Sequence, residues 1–357
     1  MRWELSAEQE MFRDSFRDWL AAHAATPAIR QWLSDGDVSL FEARLAADSW
    51  LGVGFGEDLG GQGGGLLELA LAAEQLGYAA APGSWLAAVL AVPALTPDIS
   101  AEVLDRGEIV VLAVPAGHPP DAPDEPGSVR WAQGGLQGMV PAVLGAGRAA
   151  RLVVPVWADG VVTLFLVEVG QGVSRRERTL VDRTRSAADV TFTGAPGQRL
   201  DVDGGEVLAD AALRAAVLVA ADSLGAAAKM LELAVAYSKQ RTQFGVPIGS
   251  FQAVKHAAAT MLVAVEASRS IAYFAAASVE QGRPECDLHA ATAKAQVTAA
   301  AERAADTALT LHGAIGYTWE HDLQLYYKRA KLNAQLYGNP EVWNERLASG
   351  LPLVPAG

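Results

Sequence analysis

Apolar positions follow a helical period to about residue 106, break into short β-type runs, and return to a helical period from about 205. In the first zone Leu5, Met11, Phe12, Phe16, Trp19 and Leu20 recur at helical spacing. Ser6 stands where an N-cap belongs, and Glu8 and Glu10 occupy the first turn. A second helix is expected over residues 40–51, ended by Gly52. A glycine-rich loop over 54–65 then leads into a third helix over 66–78.

The middle zone holds β-type runs at 109–114, 151–155, 161–167 and 189–192. Gly, Pro and Asp clusters such as 117–121 separate them, so a small antiparallel sheet or barrel is expected. Beyond 205 the chain is rich in alanine. Helices are expected at about 207–240, 251–281 and 287–311, with a final one from about 322. Small side chains let such helices pack closely, as in a four-helix bundle. The expected fold class is α+β: an N-terminal helical domain over 1–106, a middle β-domain over 107–204 and a C-terminal helix bundle over 205–357.

Half of the 357 residues are hydrophobic, enough for the cores of two or three lobes. A net charge of −13 (41 acidic against 28 basic residues) makes nucleic acid and anionic membrane poor partners. The one cysteine, Cys286, can form neither an internal disulfide nor a thiolate cluster, which points to a reducing cytoplasm. The first twenty residues are charged throughout, unlike a signal peptide. The apolar run 85–95, interrupted by Pro93, is too short to span a bilayer. A soluble cytoplasmic protein without a membrane span is the expectation.

Two strings carry candidate chemistry. Residues 241–252 read Arg-Thr-Gln-Phe-Gly-Val-Pro-Ile-Gly-Ser-Phe-Gln and connect two long helices. An arginine, glycine-freed amides, an aromatic ring and an amide side chain on one turn suit a phosphate joined to a flat ring; a plain helix connection with Arg241 solvated is the bland alternative. Residues 311–322 read Leu-His-Gly-Ala-Ile-Gly-Tyr-Thr-Trp-Glu-His-Asp, a helix-to-helix corner. His312 and His321 have no third ligand in register, so no metal site is expected. The glycines at 60, 61, 63, 64 and 65 follow no strand and do not form a Walker loop.

Together, Arg241-x-x-Phe244-Gly245-x-x-Ile248-x-x-Phe251-Gln252 and His312-Gly313-x-x-Gly316-Tyr317-Thr318-x-Glu320 resemble the acyl-CoA dehydrogenase family. The N-terminal Leu5, Glu8 and Gln9, the Gly60-Gly61-x-Gly63 loop and the helical–β–helical order match as well. The resemblance implies FAD as cofactor, an acyl-CoA thioester as substrate, α,β-dehydrogenation as the reaction and an electron-acceptor flavoprotein as partner. In such enzymes a glutamate takes the α-proton, and hydrogen bonds to the thioester carbonyl acidify the α-carbon. It assigns Arg241, Gln243, Phe244 and Gln252 to a neighbouring subunit's FAD, mainly its pyrophosphate and adenine. Thr310 to Ala314 would match a second FAD-contacting corner, with Thr310 replacing the usual glutamine and Ala314 the second glycine. Gly313 and Asn339 complete the cofactor-side set.

Other positions depart from the family. Its Thr-Glu-Pro loop corresponds to Ala113, Val114 and Pro115, and its flavin-flanking Trp and Thr to Ala142 and Leu144. The catalytic glutamate's place holds Tyr337, and its alternative place on the first bundle helix holds Ala215, beside Ala216. Asp222 and Glu341 are the nearest acids in sequence; Glu341 would share a helical face with position 337 if that segment were one helix. Some family enzymes pair a catalytic chain with a shorter chain lacking the base, and act on bulky thioesters such as steroid side-chain CoA derivatives. The reading favoured is that shorter subunit, in a heterotetramer with a related catalytic subunit. The alternatives are an active homo-oligomer with a displaced base and a flavin-free scaffold of the same fold.

Overall fold

The structure, a computed structural model, describes residues 5–122, 128–158 and 160–351. The ends of the expected outer domains lie outside these residues.

Helix α1 (Ala7–His23) starts at a capping box: the Ser6 hydroxyl accepts from Gln9 N–H, and Gln9 Oε1 accepts from Ser6 N–H. Its Phe16 and Leu20 are buried, whereas Met11 points to solvent. Helices α2 (Thr26–Asp35) and α3 (Ser39–Ala47) follow. The helix expected over 40–51 ends at Ala47, because Ser49 takes a left-handed φ of 62° and turns the chain. Next come α4 (Leu66–Ala79), α5 (Trp85–Ala91) and α6 (Pro97–Arg106).

The middle region forms two four-stranded sheets. One runs β1 (Val110–Leu112), β4 (Arg151–Ala158), β5 (Val161–Glu168), β8 (Gln198–Arg199). The other runs β2 (Val129–Ala132), β3 (Gly135–Leu144), β7 (Ala187–Ala195), β6 (Val173–Arg178). Trp131 of β2 stacks on Phe165 of β5 at 4.8 Å, bringing the sheets face to face. β1 and β4 pair in parallel, a correction to the purely antiparallel expectation.

The bundle comprises α7 (Gly204–Gln240), α8 (Gln252–Glu280), α9 (Cys286–Thr292), α10 (Thr298–His312) and α11 (Leu323–Gln335). A π-helical turn, Ala293–Val297, joins α9 to α10. The single final helix expected from 322 is two: the backbone breaks after α11, and α12 spans Pro340–Gly350. The expectation that no segment could span a bilayer rests on the run 85–95 and leaves out α8, a longer helix interrupted by charged residues. By length and composition it could cross a membrane, yet it packs against α4, α7, α9 and α10. α4 and α7 touch backbone to backbone. A Cβ on Gly77 would lie 2.0 Å from the Asp222 carbonyl oxygen, and one on Gly225 1.8 Å from that of Glu74. Only glycine permits that approach, and it sets where Asp222 stands.

Candidate functional site

The Arg241 string forms a small hairpin at one end of the bundle. β9 (Thr242–Gln243) pairs with β10 (Val246–Pro247), and Ile248 N–H returns to the Arg241 carbonyl at 2.8 Å. Phe244 and Gly245 both have positive φ, 53° and 80°, as a two-residue I′ turn demands. Holding a phenylalanine there costs backbone energy, yet its side chain is 92 % exposed. Arg241, Gln243 and Gln252 are exposed too. The second string reaches the same end: the His312 ring stacks on Tyr237 at 4.7 Å, one turn before Arg241, and lies 4.6 Å from His321. Burial lowers the pKa of both histidines. Gly313 ends α10 with φ 61°; Thr310 and Ala314 are exposed, the Thr310 hydroxyl donating to the Asp306 carbonyl at 2.9 Å. Among the described residues no cluster of His, Cys, Asp or Glu suits a metal ion.

The positions assigned to the flavin face and to the base meet at another place, where the sheets join the bundle. Pro115 bridges to Val143, Ala116 N–H donates to the Ala142 carbonyl at 3.1 Å, and Tyr337 N–H donates to the Ala116 carbonyl at 2.6 Å. Ala113, Leu144 and Tyr337 are almost fully buried, and Ala215 and Ala216, on α7, are wholly so. Burial drives the Tyr337 hydroxyl pKa far up, with Arg185 opposing, so tyrosine supplies no base at neutral pH. Tyr337 and Gly338 have positive φ, 52° and 95°, and Asn339 starts α12 by accepting from Val342 N–H at 3.0 Å. Glu341 sits exposed in the first turn of α12. The break at 336–339 removes the shared helical face that would have linked it to position 337.

Asp222, the other acid near the expected base positions, is engaged. Arg329 donates to both its carboxylate oxygens at 2.9 and 2.7 Å, Arg185 to Oδ2 at 2.7 Å and Asn333 to Oδ1 at 2.6 Å. Arg329 also reaches the Ala81 carbonyl at 2.8 Å and Thr184 Oγ1 at 3.2 Å, tying the N-terminal helices, the β6–β7 loop, α7 and α11 together. Beside this cluster a cavity of only about 10 Å³ remains, lined by Leu76, Trp85, Arg185, Asp222 and Arg329 among others. That holds at most one water. Sequence reading missed Arg185, Arg329 and Asn333, since no local motif announces a pairing across 107 residues.

Lys294 was missed as well. It lies in the π-helical turn, fully buried, and its ammonium donates to the carbonyls of Gly338 at 2.7 Å and Ala334 at 3.3 Å. The lysine thus grips the loop that carries Tyr337. Burial pushes its pKa down to about 7, with Glu302 opposing. An exposed lysine titrates near 10.4, so between about pH 7 and 10 the unfolded chain binds more protons than the folded one. Stability from this residue therefore rises with pH across that window, on the order of 1 kcal/mol per pH unit at most. Urea unfolding at pH 6, 7.5 and 9 should show the rise in the natural chain and a flatter profile in Lys294→Met. Equal slopes in both would contradict the assignment.

These features define a three-part architecture of helical outer domains, a middle β region and an exposed hairpin at one end of the bundle. The chain belongs to the acyl-CoA dehydrogenase family, an oxidoreductase class: residues 6–99 match "Acyl-CoA dehydrogenase, N-terminal domain" and residues 203–351 "Acyl-CoA dehydrogenase, C-terminal domain". Acyl-CoA dehydrogenase IpdE2 of Mycolicibacterium smegmatis is 32% identical over 349 residues, 96% of this chain and 98% of that protein. Acyl-CoA dehydrogenase FadE34 of Mycobacterium tuberculosis is 32% identical over 354 residues, 97% of this chain but 48% of FadE34. A solved structure of a Tcur3481-Tcur3483 steroid ACAD variant superposes with a TM-score of 0.86 at 25% identity, covering 96% of this chain and 97% of its own.

Proposed function

We propose that this chain is the base-less subunit of a heteromeric acyl-CoA dehydrogenase and lends its hairpin to FAD held mainly by a related catalytic chain. The observation that carries this is the contrast between the two halves of the site. The half that would serve the chain's own flavin does not fit it: direct backbone bonds join Ala116, Ala142 and Tyr337, and Asp222 is neutralised by two arginines. The half that would serve a neighbour's cofactor is open to one: Arg241, Gln243 and Gln252 stand exposed with Phe244, though Gln243 Nε2 donates to the Thr242 carbonyl and Gln252 Nε2 meets His256. Arg241 would hold a diphosphate, Phe244 would cover apolar or aromatic surface, and Gly313 with Thr310 and Ala314 would leave backbone close to the same ligand. FAD, when bound there, supplies the hydride acceptor for α,β-dehydrogenation of an acyl-CoA thioester.

Two similarities support the pairing. FadE34 is about twice the length of the matched region, leaving room for a second module of this size. The Tcur3481-Tcur3483 steroid ACAD carries two protein names and a steroid substrate class, so a bulky steroid-derived thioester is the substrate we favour. A reducing cytoplasm, where the lone Cys286 stays a thiol, and electron transfer to an acceptor flavoprotein complete the reading. The test is Arg241→Ala in the assembled complex. Losing the always-charged, planar fork should weaken FAD retention roughly tenfold or more without unfolding an exposed hairpin. An unchanged flavin-to-protein ratio would count against the half-site.

A further inference from the structure

We propose that the cleft between α2, the β6–β7 loop and the start of α11 binds a phosphate-bearing small molecule, with Arg183 and Lys328 holding the phosphate above the Trp319 indole. This cleft encloses about 250 Å³ and is walled by Arg30, Leu33, Asp182, Arg183, Trp319 and Lys328 among others. That is room for a phosphate and a few attached atoms rather than a whole dinucleotide. None of its wall residues belongs to the hairpin string 241–252, and the inference stands independently of the subunit reading.

The floor is rigid. Arg30 donates to Asp322 Oδ1 at 3.0 and 2.7 Å and to the carbonyls of Trp319 and Glu320 at 2.6 and 2.8 Å, fixing the loop that presents the indole. Trp319 is nevertheless 58 % exposed. The Lys328 ammonium sits 3.3 Å from the centre of that ring and the Arg183 guanidinium 5.6 Å from it. Neither cation forms an ion pair with a carboxylate among the described residues; Lys328 bonds only the neutral Gln324 side chain, at 2.7 Å. Two like charges over one ring repel each other; burial and Arg183 lower the pKa of Lys328, with the Asp182 carboxylate opposing. In a chain of net charge −13 such a pair is against the prevailing sign. A dianion between them removes the repulsion and gains charge-assisted hydrogen bonds.

A second feature narrows the ligand. Asp182 is fully buried in the wall; its Oδ1 accepts from Thr184 N–H and Oγ1, while the enclosed Oδ2 has no hydrogen-bond partner among the described residues. This negative charge leaves the Arg183 and Lys328 side as the place for the phosphate, and a neutral or donor-bearing remainder of the ligand suits the Asp182 side.

The experiment is calorimetric titration of the full chain with inorganic phosphate, CoA and FAD, at low and moderate salt. Saturable binding is expected, weakened about tenfold or more by Arg183→Gln and by Lys328→Gln. Arg106→Gln, at a distant exposed ion pair, should leave it unchanged. CoA binding more tightly than FAD would assign a phosphomonoester, FAD more tightly a diphosphate, and phosphate alone equally well a free-ion site. Binding that survives both substitutions, or no binding of any of the three, overturns the proposal. So does protection of Lys328 from amine acylation by a partner chain alone, which would make the natural counter-ion a protein carboxylate.

Discussion

Asp222→Ala is expected to cost about 3–5 kcal/mol of folding stability, because it leaves Arg185 and Arg329 buried without a counter-charge. In a chain of this size that is a fall in Tm of several degrees to roughly 10 °C, readable by calorimetry. Burial by itself would raise the Asp222 pKa; the charges of Arg185 and Arg329 outweigh it and hold the group at about 2. A folded-state value below the unfolded one stabilises above about pH 4, and that contribution drains away as the pH falls through about 2. The natural chain should therefore lose stability across that acid window more steeply than the variant. Asp222→Leu combined with Arg185→Met and Arg329→Met should recover part of the loss, since an apolar replacement of a whole buried cluster is often near neutral. If Asp222→Ala melts with the natural chain, the cluster is not the tie between the N-terminal, sheet and bundle regions that its bonds describe.

What could be read in advance was what is local in the chain. Ser6 and Gln9 make a capping box within four residues, and the Arg241 and His312 strings are each contiguous, so the cap and the family resemblance were legible. β3 was not: Gly138, Pro141 and a bulge between Val140 and Val143 break its alternation. β6 was hidden because it is an edge strand of Arg175, Arg176, Glu177 and Arg178, the charges that protect an edge from pairing. The α11–α12 break carried a signal that went unread, Gly338-Asn339-Pro340, in which Asn caps and Pro occupies the first helical position. Missing it made Glu341 look closer to position 337 than it is. The Asp222 cluster and the Lys294 grip on Gly338 join residues 37 to 111 apart and 44 apart, and no pattern in one sequence encodes such pairs.

The chain alone, supplied with excess FAD and an artificial electron acceptor, is expected to oxidise no acyl-CoA at a rate distinguishable from background. Proton abstraction by a placed carboxylate is worth roughly 10²–10⁴-fold, and the expected places hold Tyr337 and Ala215. On the subunit reading the positions that would face the flavin hold Ala142 and Leu144, which would add a loss of positioning to the loss of the base. A base can migrate between helices, which makes Glu341 the acid to examine. Yet it stands exposed, on the far side of a backbone break, with no hydrogen-bond or ion-pair partner among the described residues that would aim it toward Ala116 and Tyr337. A panel of acyl-CoAs of several sizes, with and without a related catalytic chain co-expressed, separates the readings. Turnover that appears only with the second chain and survives Glu341→Gln is the result the subunit reading requires. Robust turnover by the single chain that vanishes on Glu341→Gln would replace it with a homo-oligomeric enzyme, and absence of flavin from every preparation would leave a scaffold that keeps the fold without the chemistry.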